Sequence, residues 1–487
     1  MSVATEVRTK YEAVIGLEVH VQLLTRSKIF CSCSTRFGDL PNSNTCPVCL
    51  GLPGALPVLN REAVTMAMKA ALALNCYLNP RSRFARKNYF YPDLPKGYQI
   101  SQYDEPLAEH GRLEIDVNGE RKRIGITRVH LEEDAGKSLH EGFADSDTSS
   151  YIDLNRSGVP LIEIVSEPDL RTPEEGHEYL TRLRTLMLYL EVSDCNMEEG
   201  SLRCDANVSV RPVGSSKLGT KAEVKNLNSF RFLQRALAYE IERQIQVVDG
   251  GGEVTQETRL WDSRANRTYG MRSKEFAHDY RYFPEPDLQP LVITEEWKKE
   301  VKRSLPELPG AREERFMQQY ALPKQDAAQL TSSRALADYY ESVSKASGEP
   351  KLAANWILSE LMFRLNESAK KITDSPITAD NLAELIALVA KGAVSGKMGK
   401  DILLEMFSTG KRASNVIAAK GLEHIDDPEK ISSVAREIMA ANPKQVEQYR
   451  CGKTATLGWF VGQVMKATHG QANPQTVQEV LKKELAL

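Results

Sequence analysis

The spacing of apolar residues changes near residue 297, and this change limits the folds open to the 487-residue chain. Up to about Glu295, short alternating or β-branched runs such as Val14–Val21 and Leu161–Val165 predict strands, with capped helices between them. From Trp297 onward the alternation ends and helical spacing dominates, as over residues 382–389. The sequence therefore predicts an α+β protein in which a large mixed region with an antiparallel sheet precedes helical domains.

Breaks in the pattern divide the chain into three predicted domains. Proline brackets the segment Pro306–Pro309, and a second break lies near residues 408–410. No apolar run approaches the roughly 18 residues of a membrane span, and the first ten residues lack signal-peptide features, which predicts a cytoplasmic protein without a membrane partner. The predicted domains are the large α+β domain over residues 1–296, a helical domain over 297–409 and a helical tail over 410–487.

Two segments, Cys204–Arg211 and Lys221–Asn226, sort their polar residues onto one side. Strand alternation places Asp205, Asn207, Ser209 and Arg211 on one face of the first segment and Lys221, Glu223 and Lys225 on one face of the second. Residues 212–216 read as the turn of a hairpin. Acids, an amide, a hydroxyl and cations together suit a metal ion and phosphates. The alternative is a hairpin with one solvated face, which antiparallel sheets often have.

Two further segments place imidazole beside carboxylates. Glu18 and His20 share one face of a predicted strand, as ligands of one metal must, and His130, Glu132 and Asp134 project together at the end of another strand. Oxygen ligands with a single imidazole suit Mg²⁺ better than zinc, and Mg²⁺ in turn favours phosphate chemistry. A solvated strand edge and a solvated acidic turn are the competing interpretations. The sequence has no P-loop and no Gly-x-Gly-x-x-Gly motif, so an ATP site would be of another kind.

Four of the eight cysteines form two close pairs, Cys31 with Cys33 and Cys46 with Cys49. In a reducing compartment, two such pairs flanking a loop predict a structural zinc ion held by four thiolates. Free, buried thiols are the alternative. The loops Arg86–Asp93 and Asp279–Asp287 combine aromatic rings with Lys and Arg, so they either stack on a base or close an edge of the core.

Several motifs together resemble one family, the B subunits of the glutamyl/aspartyl-tRNA amidotransferases. The likeness runs from about residue 11 to the C-terminus and is densest before Pro290. The motifs that carry it are residues 16–20, 86–93, 130–137, 154–164, 198–205 and 221–229. The resemblance implies a cradle-like α+β domain that holds the site, followed by a helical domain and a tail domain that contacts tRNA.

The resemblance also implies a reaction and its partners. The implied enzyme is a three-subunit, ATP-dependent ligase that phosphorylates the side-chain carboxylate of Glu on glutamine tRNA, or of Asp on asparagine tRNA. Ammonia from a partner amidase subunit (A) then displaces the phosphate, and a small subunit (C) completes the complex. The chain itself shows no Cys–His glutaminase signature.

Site residues follow from the resemblance position by position. The Mg²⁺ ligands are expected among Glu18, His20, Glu132 and Glu223, with Glu133 and Asp205 as neighbours. These four residues and Lys225 are the expected catalytic residues. Lys225 is included because a cation can stabilise the transferring phosphoryl group. ATP contacts are expected from Asp205, Lys221, Lys225 and Asn226, and substrate contacts from Lys87, Tyr89 and Tyr91.

Two other functions compete with this one. In the first alternative the chain is a zinc-stabilised tRNA-binding scaffold, and catalysis lies in a partner. In the second it is a stand-alone ligase acting on a small metabolite. Carboxylates on at least three separate segments favour catalysis, because RNA binding alone would prefer cations. Residues 411–487 hold 11 Lys or Arg against 8 Asp or Glu, a mild excess that favours tRNA over a metabolite.

Overall fold

A computed structural model gives the fold of the chain in two compact units, residues 1–308 and 309–487. It describes residues 10–140, 145, 148–273, 280–420, 428–468, 472 and 474–486; for residues 272, 273, 420 and 474 it describes the backbone alone. Sixteen strands lie within the described part of the first unit and none within that of the second. The predicted α+β class is therefore confirmed. None of the described helices is both long and apolar enough to cross a membrane.

A twelve-stranded, mostly antiparallel sheet dominates the first unit, in the order β14-β13-β12-β11-β1-β10-β7-β5-β4-β15, with β6 beside β7 and β2 beside β6. Two small pairs, β16–β3 and β8–β9, lie outside it. The strands are β1 Tyr11–Gln22, β2 Tyr77–Leu78, β3 Arg81–Ser82, β4 Phe84–Asn88, β5 Tyr98–Gln102, β6 Ala108–Val117, β7 Glu120–Glu133, β8 Lys137–Leu139, β9 Tyr151–Asp153, β10 Pro160–Ser166, β11 Leu202–Pro212, β12 Ala222–Lys225, β13 Glu257–Asp262, β14 Arg267–Ser273, β15 Phe283–Pro284 and β16 Leu291–Val292.

Helices bury one face of this sheet. Leu17, Val19 and Val21 of β1 lie in one hydrophobic core with Leu183 and Leu237 of two long helices. Burying these apolar side chains is the main favourable contribution to folding of the unit. The opposite face of the sheet is thereby free to carry polar side chains. The helices of this unit are α1 Pro47–Leu50, α2 Arg61–Ala73, α3 Pro173–Tyr189, α4 Phe230–Asp249 and α5 Glu295–Ser304.

The predicted hairpin forms, with a longer connection than expected. Strands β11 and β12 pair antiparallel, with Asn207 opposite Glu223. However, β11 continues to Pro212 and β12 begins only at Ala222, so residues 213–221 connect them instead of a tight turn at 212–216. Tyr11 of β1 pairs with Pro212, which extends β11 to that residue.

The second unit is helical and contains two hydrophobic clusters, one between residues 316 and 416 and the other between residues 431 and 485. A π-helical turn, Trp356–Leu361, joins the helices Pro350–Asn355 and Met362–Glu367. The helices are α6 Pro309–Tyr320, α7 Lys324–Leu330, α8 Arg334–Ser347, α9 Pro350–Asn355, α10 Met362–Glu367, α11 Ala379–Ala390, α12 Gly396–Thr409, α13 Ala413–Lys420, α14 Pro428–Ala441, α15 Pro443–Arg450, α16 Thr456–Ala467 and α17 Pro474–Ala486, with a 3₁₀ turn at Ile372–Asp374.

An ion-pair network between α6 and α8 gives the second unit a pH-dependent contribution to stability. Glu341 accepts hydrogen bonds from Arg312 and Arg315, and although burial opposes its ionisation, these partners lower its pKa to about 2. A lowered carboxyl pKa stabilises the fold above the unfolded-state pKa, and the contribution is lost as pH falls through the folded-state value.

We expect Glu341→Gln to lower the free energy of unfolding by about 1–2 kcal/mol at pH 7, a range reduced for solvent screening. The difference from the unchanged chain should shrink as pH falls from about 4.5 towards 2. Chemical denaturation across this range would measure it, with the exposed Glu349→Gln as the matched control. A difference independent of pH would contradict the ionic origin.

Candidate functional site

The sheet face opposite the helices carries most of the predicted site residues; we call it the polar face. On β1, Glu18 and His20 point away from the core residues Leu17 and Val19. Paired residues of adjacent strands point to the same side, so β10, β7, β11 and β12 add their polar residues to this face. Its members include Glu18, His20, Arg128, His130, Glu132, Glu163, Arg203, Asp205, Asn207, Ser209, Glu223 and Lys225.

Three ligand-type side chains, His20, Glu132 and Glu163, meet at the centre of the polar face; we call them the central cluster. One ligand atom from each lies within 4.8 Å of the others. The His20 Nε2 atom is 3.5 Å from Glu163 Oε2 and 3.8 Å from Glu132 Oε1. The cluster forms because His20 pairs with Glu163 across β1 and β10, while Glu132 pairs with Leu161 across β7 and β10. Two carboxylates and an imidazole so arranged can hold a divalent cation.

The electrostatic surroundings keep both carboxylates of the central cluster ionised. Burial opposes ionisation of Glu163, but His130, His20 and Lys87 outweigh it and lower the pKa of this carboxyl. Burial likewise opposes ionisation of Glu132, and a hydrogen bond from His130 is the strongest of the interactions that lower its pKa. For His20, burial disfavours the cation, but the hydrogen bond and charge of Glu163 raise its pKa. In this structure the two imidazoles and Lys87 compensate the charges of the two carboxylates, and a divalent cation bound between the carboxylates would take over part of this compensation.

Glu18 lies beside the central cluster and is held by the strand on its other side. Its Oε1 atom accepts a hydrogen bond of 2.8 Å from the Asn207 amide. Next along the polar face, Lys225 Nζ donates to Asp205 at 2.6 Å and lies 3.5 Å from Glu223 Oε1. Burial disfavours the Lys225 cation, but Asp205 and Glu223 raise its pKa, so the charge is retained.

The structure thus brings together two of the four predicted Mg²⁺ ligands, His20 and Glu132. Glu18 and Glu223 share the polar face but do not belong to the central cluster. The third member, Glu163, was not among the residues selected from the sequence. One signal pointed to it, because Glu163 is the single charged residue in the apolar strand Pro160–Ser166. A lone carboxylate in such a strand demands a partner.

The predicted substrate residues lie on the other side of the central cluster. Lys87 belongs to β4, and Tyr89 and Tyr91 follow this strand. Lys87 Nζ lies over the rings of Tyr280 and Tyr89, 4.9 and 5.6 Å from their centroids. Burial disfavours its cation, but Tyr282 and Glu132 raise the pKa of Lys87. Tyr89 also packs edge-on against Tyr280. Residues from both aromatic loops therefore surround one half-buried cation, Lys87, that acts on the central cluster.

The remaining predicted residues occupy less central positions. Tyr91 packs edge-on against Tyr89, with half of its surface exposed. Asn226 adopts a left-handed backbone conformation after β12, and its amide donates to the carbonyl of Trp261. Lys221 immediately precedes β12 and lines a cavity beside Glu18.

The four predicted zinc ligands also converge, in the segment between β1 and α2. The sulfur atoms of Cys31, Cys33, Cys46 and Cys49 all lie within 4.8 Å of one another. The Cys46 and Cys49 sulfurs are 3.9 Å apart, close to the roughly 3.8 Å expected between ligands of a tetrahedral zinc with bonds of about 2.3 Å. A hydrogen bond from Cys31 lowers the pKa of Cys49 to about 4. The donor set and its spacing fit a structural zinc ion.

The cysteine cluster is connected to strand β7 through buried charges. Lys28 is fully buried beside the cluster, where its ammonium group donates to the carbonyl of Asn44 at 2.7 Å. Lys96 forms a buried ion pair with Glu133, the residue that follows Glu132. Cys49, Lys28 and Glu133 all line one cavity of about 190 Å³. The predicted neighbour Glu133 therefore belongs to the wall between the cysteine cluster and the polar face.

Comparison with known proteins identifies the family of proteins to which this fold and site belong. Residues 13–299 match the family model described as the GatB/GatE catalytic domain, and residues 338–485 match the model described as the GatB domain. The first match contains the whole polar face and the cysteine cluster. The chain therefore belongs to the GatB family, as the motif resemblance predicted.

Relatives over nearly the full length bear a more particular name. A protein of Carboxydothermus hydrogenoformans is 57% identical over 98% of this chain and 99% of its own length. Proteins of Thermoanaerobacter pseudethanolicus and Syntrophotalea carbinolica are 55% and 56% identical, each over 98% of this chain and 100% and 99% of their own lengths. All three are named as the B subunit of an aspartyl/glutamyl-tRNA(Asn/Gln) amidotransferase.

Proposed function

We propose that this chain is the subunit of an ATP-dependent amidotransferase that activates Glu on glutamine tRNA, Asp on asparagine tRNA, or both. The names of its full-length relatives support the general role. The observation that carries the chemical part is the central cluster, in which two buried carboxylates and an imidazole face one point. Carboxylates gathered at one point favour this chemistry over a tRNA scaffold, because RNA binding alone would prefer cations.

The residues present fit a hard divalent cation. In the proposal Glu132, Glu163 and the neutral imidazole of His20 hold Mg²⁺, which when bound supplies positive charge to the phosphate oxygens of ATP and replaces the proton that His20 carries without the metal. Glu18 and Glu223 remain further candidate ligands on the same face. In the described structure Glu18 accepts from Asn207, and Glu223 accepts from Thr258 at 3.1 Å.

The proposed reaction needs alignment and charge compensation rather than a protein nucleophile. A side-chain oxygen of the tRNA-bound Glu or Asp attacks the γ-phosphorus of ATP, and the bond to the bridging oxygen breaks to release ADP. Ammonia then attacks the carbonyl carbon, and phosphate leaves with the electrons of the carbon–oxygen bond. We assign the substrate side to Lys87 and Tyr89, because the charge of Lys87 interacts with Glu132 and Glu163 and Tyr89 lies beside it.

Cations around the site are proposed to stabilise the transferring phosphoryl group. Lys87 and Lys225 lie at opposite sides of the polar face, and both retain their charge because neighbouring acids or phenols favour it. Lys221 and Asn226 are proposed as additional ATP contacts near the β11–β12 hairpin. The acyl phosphate must be kept from water, and the aromatic rings of Tyr89, Tyr280 and Tyr282 are suited to that role.

The proposal requires partners for the remaining steps. Ammonia would come from an amidase subunit (A), a small subunit (C) would complete the assembly, and the helical tail over residues 410–487 would contact the tRNA. The cysteine cluster would hold a structural zinc ion, because four sulfur ligands leave no position open for a substrate.

Amide formation on defined tRNAs tests the proposal. The complete complex should convert Glu on glutamine tRNA, Asp on asparagine tRNA, or both, releasing about one ADP per amide. With the amidase subunit inactivated, ammonium chloride should replace glutamine as nitrogen donor while ATP and Mg²⁺ remain essential. Amide formation from ammonium chloride without ATP would contradict the activation step. Turnover of free glutamate or aspartate instead of the charged tRNAs would favour the stand-alone ligase.

A further inference from the structure

Residues 280–287 contain the short strand β15 and lie against β4 near one edge of the sheet; we call them the strap. Strand β15 is two residues long and pairs Phe283 with Arg86 and Pro284 with Ala85. Because proline has no backbone N–H to donate, so short a pairing holds the strap weakly. Side-chain contacts must therefore supply most of its attachment to β4.

A buried ion pair is the first of these side-chain contacts. Arg86 donates to both carboxylate oxygens of Glu285, over 2.7 and 2.8 Å, and the Glu285 side chain is fully buried. The same guanidinium lies over the ring of Tyr98, 4.3 Å from its centroid, and donates to Asp287 at 3.3 Å. A bidentate pair of this kind fixes the relative position of two segments more narrowly than a single hydrogen bond does.

A second contact lies two residues further along β4. The Asn88 amide donates to the carbonyl oxygens of Tyr280 and Arg281, over 3.2 and 2.8 Å. Arg281 has a left-handed backbone with a φ of 44°, a conformation that costs free energy for a residue with a Cβ atom. The hydrogen bonds from Asn88 help to offset this cost and hold the start of the strap.

Lys87 lies between these two attachments in the sequence and faces the other way. Successive side chains of a strand point to opposite sides, so Arg86 and Asn88 share one side of β4 and Lys87 occupies the other. The strap places Tyr280 beside Lys87, with the ring centroid 4.9 Å from Nζ, and Tyr282 packs edge-on against Tyr280. The strap is therefore held through one side of β4 and covers a cation on the other.

We propose that Glu285 is a positioning residue, which holds the strap on β4 through Arg86 and thereby directs the ammonium group of Lys87 towards the central cluster. The inference rests on the proposed function, in which Lys87 serves the substrate side. A lysine has a flexible four-carbon stem, so its charge stays in one place only where neighbouring groups restrict the rotamers. Arg86 points away from Lys87, so its effect on the reaction would pass through the strap.

Acetylation of Lys87 reports its position in the absence of any substrate. In the complex with the partner subunits, Glu285→Gln should make Lys87 react with acetic anhydride at least about tenfold faster, because a loosened strap uncovers the side chain. Peptide mass spectrometry measures the rate, with the exposed Lys299 of α5 as internal reference. Asp104→Asn is the matched control: it removes a half-exposed ion pair with Arg83, and the Lys87 rate should not change.

A second variant keeps the test valid if Glu285→Gln does not fold, since that change leaves the Arg86 cation without its main partner. Asn88→Ala loosens the other attachment and leaves no charge unpaired. It should raise the acetylation rate of Lys87 at least about threefold. Thermal unfolding identifies the folded variants. If Lys87 reacted in them within about twofold of its rate in the unchanged chain, the positioning role would be overturned.

Steady-state kinetics connect the position of Lys87 with the proposed reaction. For Glu285→Gln, kcat of amide formation should fall at least about tenfold, while KM for mischarged tRNA should stay within about twofold. The split is expected because the strap acts on the charge beside the central cluster, whereas the tail is the proposed tRNA contact. Faster acetylation of Lys87 with an unchanged kcat would support the positioning role and contradict the place of Lys87 in the proposed function.

Discussion

Replacing Glu163 with glutamine should lower tRNA-dependent ADP release and amide formation by more than about 100-fold. Glutamine keeps the size and one acceptor oxygen of the side chain, but it removes one of the two charges that the central cluster offers to a cation. His20 and Glu132 would remain, so binding of Mg²⁺ should weaken rather than change its location. The measurement is the initial rate of both products in the complete complex across a Mg²⁺ titration, with tRNA binding recorded in parallel.

A matched substitution separates this effect from the general effect of removing one negative charge. Glu114 on β6 is exposed and pairs only loosely with Arg121, 3.6 Å away, so Glu114→Gln should leave the rate within about twofold. Thermal unfolding of Glu163→Gln would show whether the sheet is intact. If the folded variant kept more than about a tenth of the rate at the same Mg²⁺ concentration, Glu163 would have no part in holding the cation.

Of the substitutions proposed, one in the cysteine cluster should have the largest effect on the stability of the fold. Cys49→Ser is expected to reduce bound zinc from about one ion per chain to less than about a tenth, and to lower the unfolding free energy of the first unit by at least about 3 kcal/mol. The physical reason lies in the surrounding segment, which has little core of its own. Leu40, Leu52, Leu56 and Val58 are all at least 49% exposed, so metal bonds would replace the missing apolar contacts.

Metal analysis by mass spectrometry and thermal unfolding with and without a chelator would measure both quantities. Cys451→Ser is the control, because Cys451 is exposed and does not belong to the cluster. Equal zinc content and equal unfolding in Cys49→Ser and the unchanged chain would show that the four thiols are not a zinc site. Since Glu133 borders the same cavity as Cys49, loss of zinc should also slow amide formation, although less than Glu163→Gln does.

Local patterns in the sequence were sufficient for several features. Alternation along β1 placed Glu18 and His20 on one face, because successive side chains of any strand point to opposite sides. The close cysteine pairs indicated one shared site, and the sulfur atoms do converge. The change from alternation to helical spacing predicted the α+β class. Each of these inferences depends on residues within a few positions of one another.

The composition of the central cluster depended on contacts that no local pattern contains. His20 meets Glu163 because β10 returns antiparallel beside β1, about 140 residues later in the chain, with a register that sets the two residues opposite each other. A shift of one residue would have turned Glu163 towards the helices. The same long-range pairing leaves Glu18 and Glu223 beside the cluster rather than within it. The sequence by itself determined which side chains face the same way on each strand; only the tertiary structure, through the order and register of the strands, decided which of them meet.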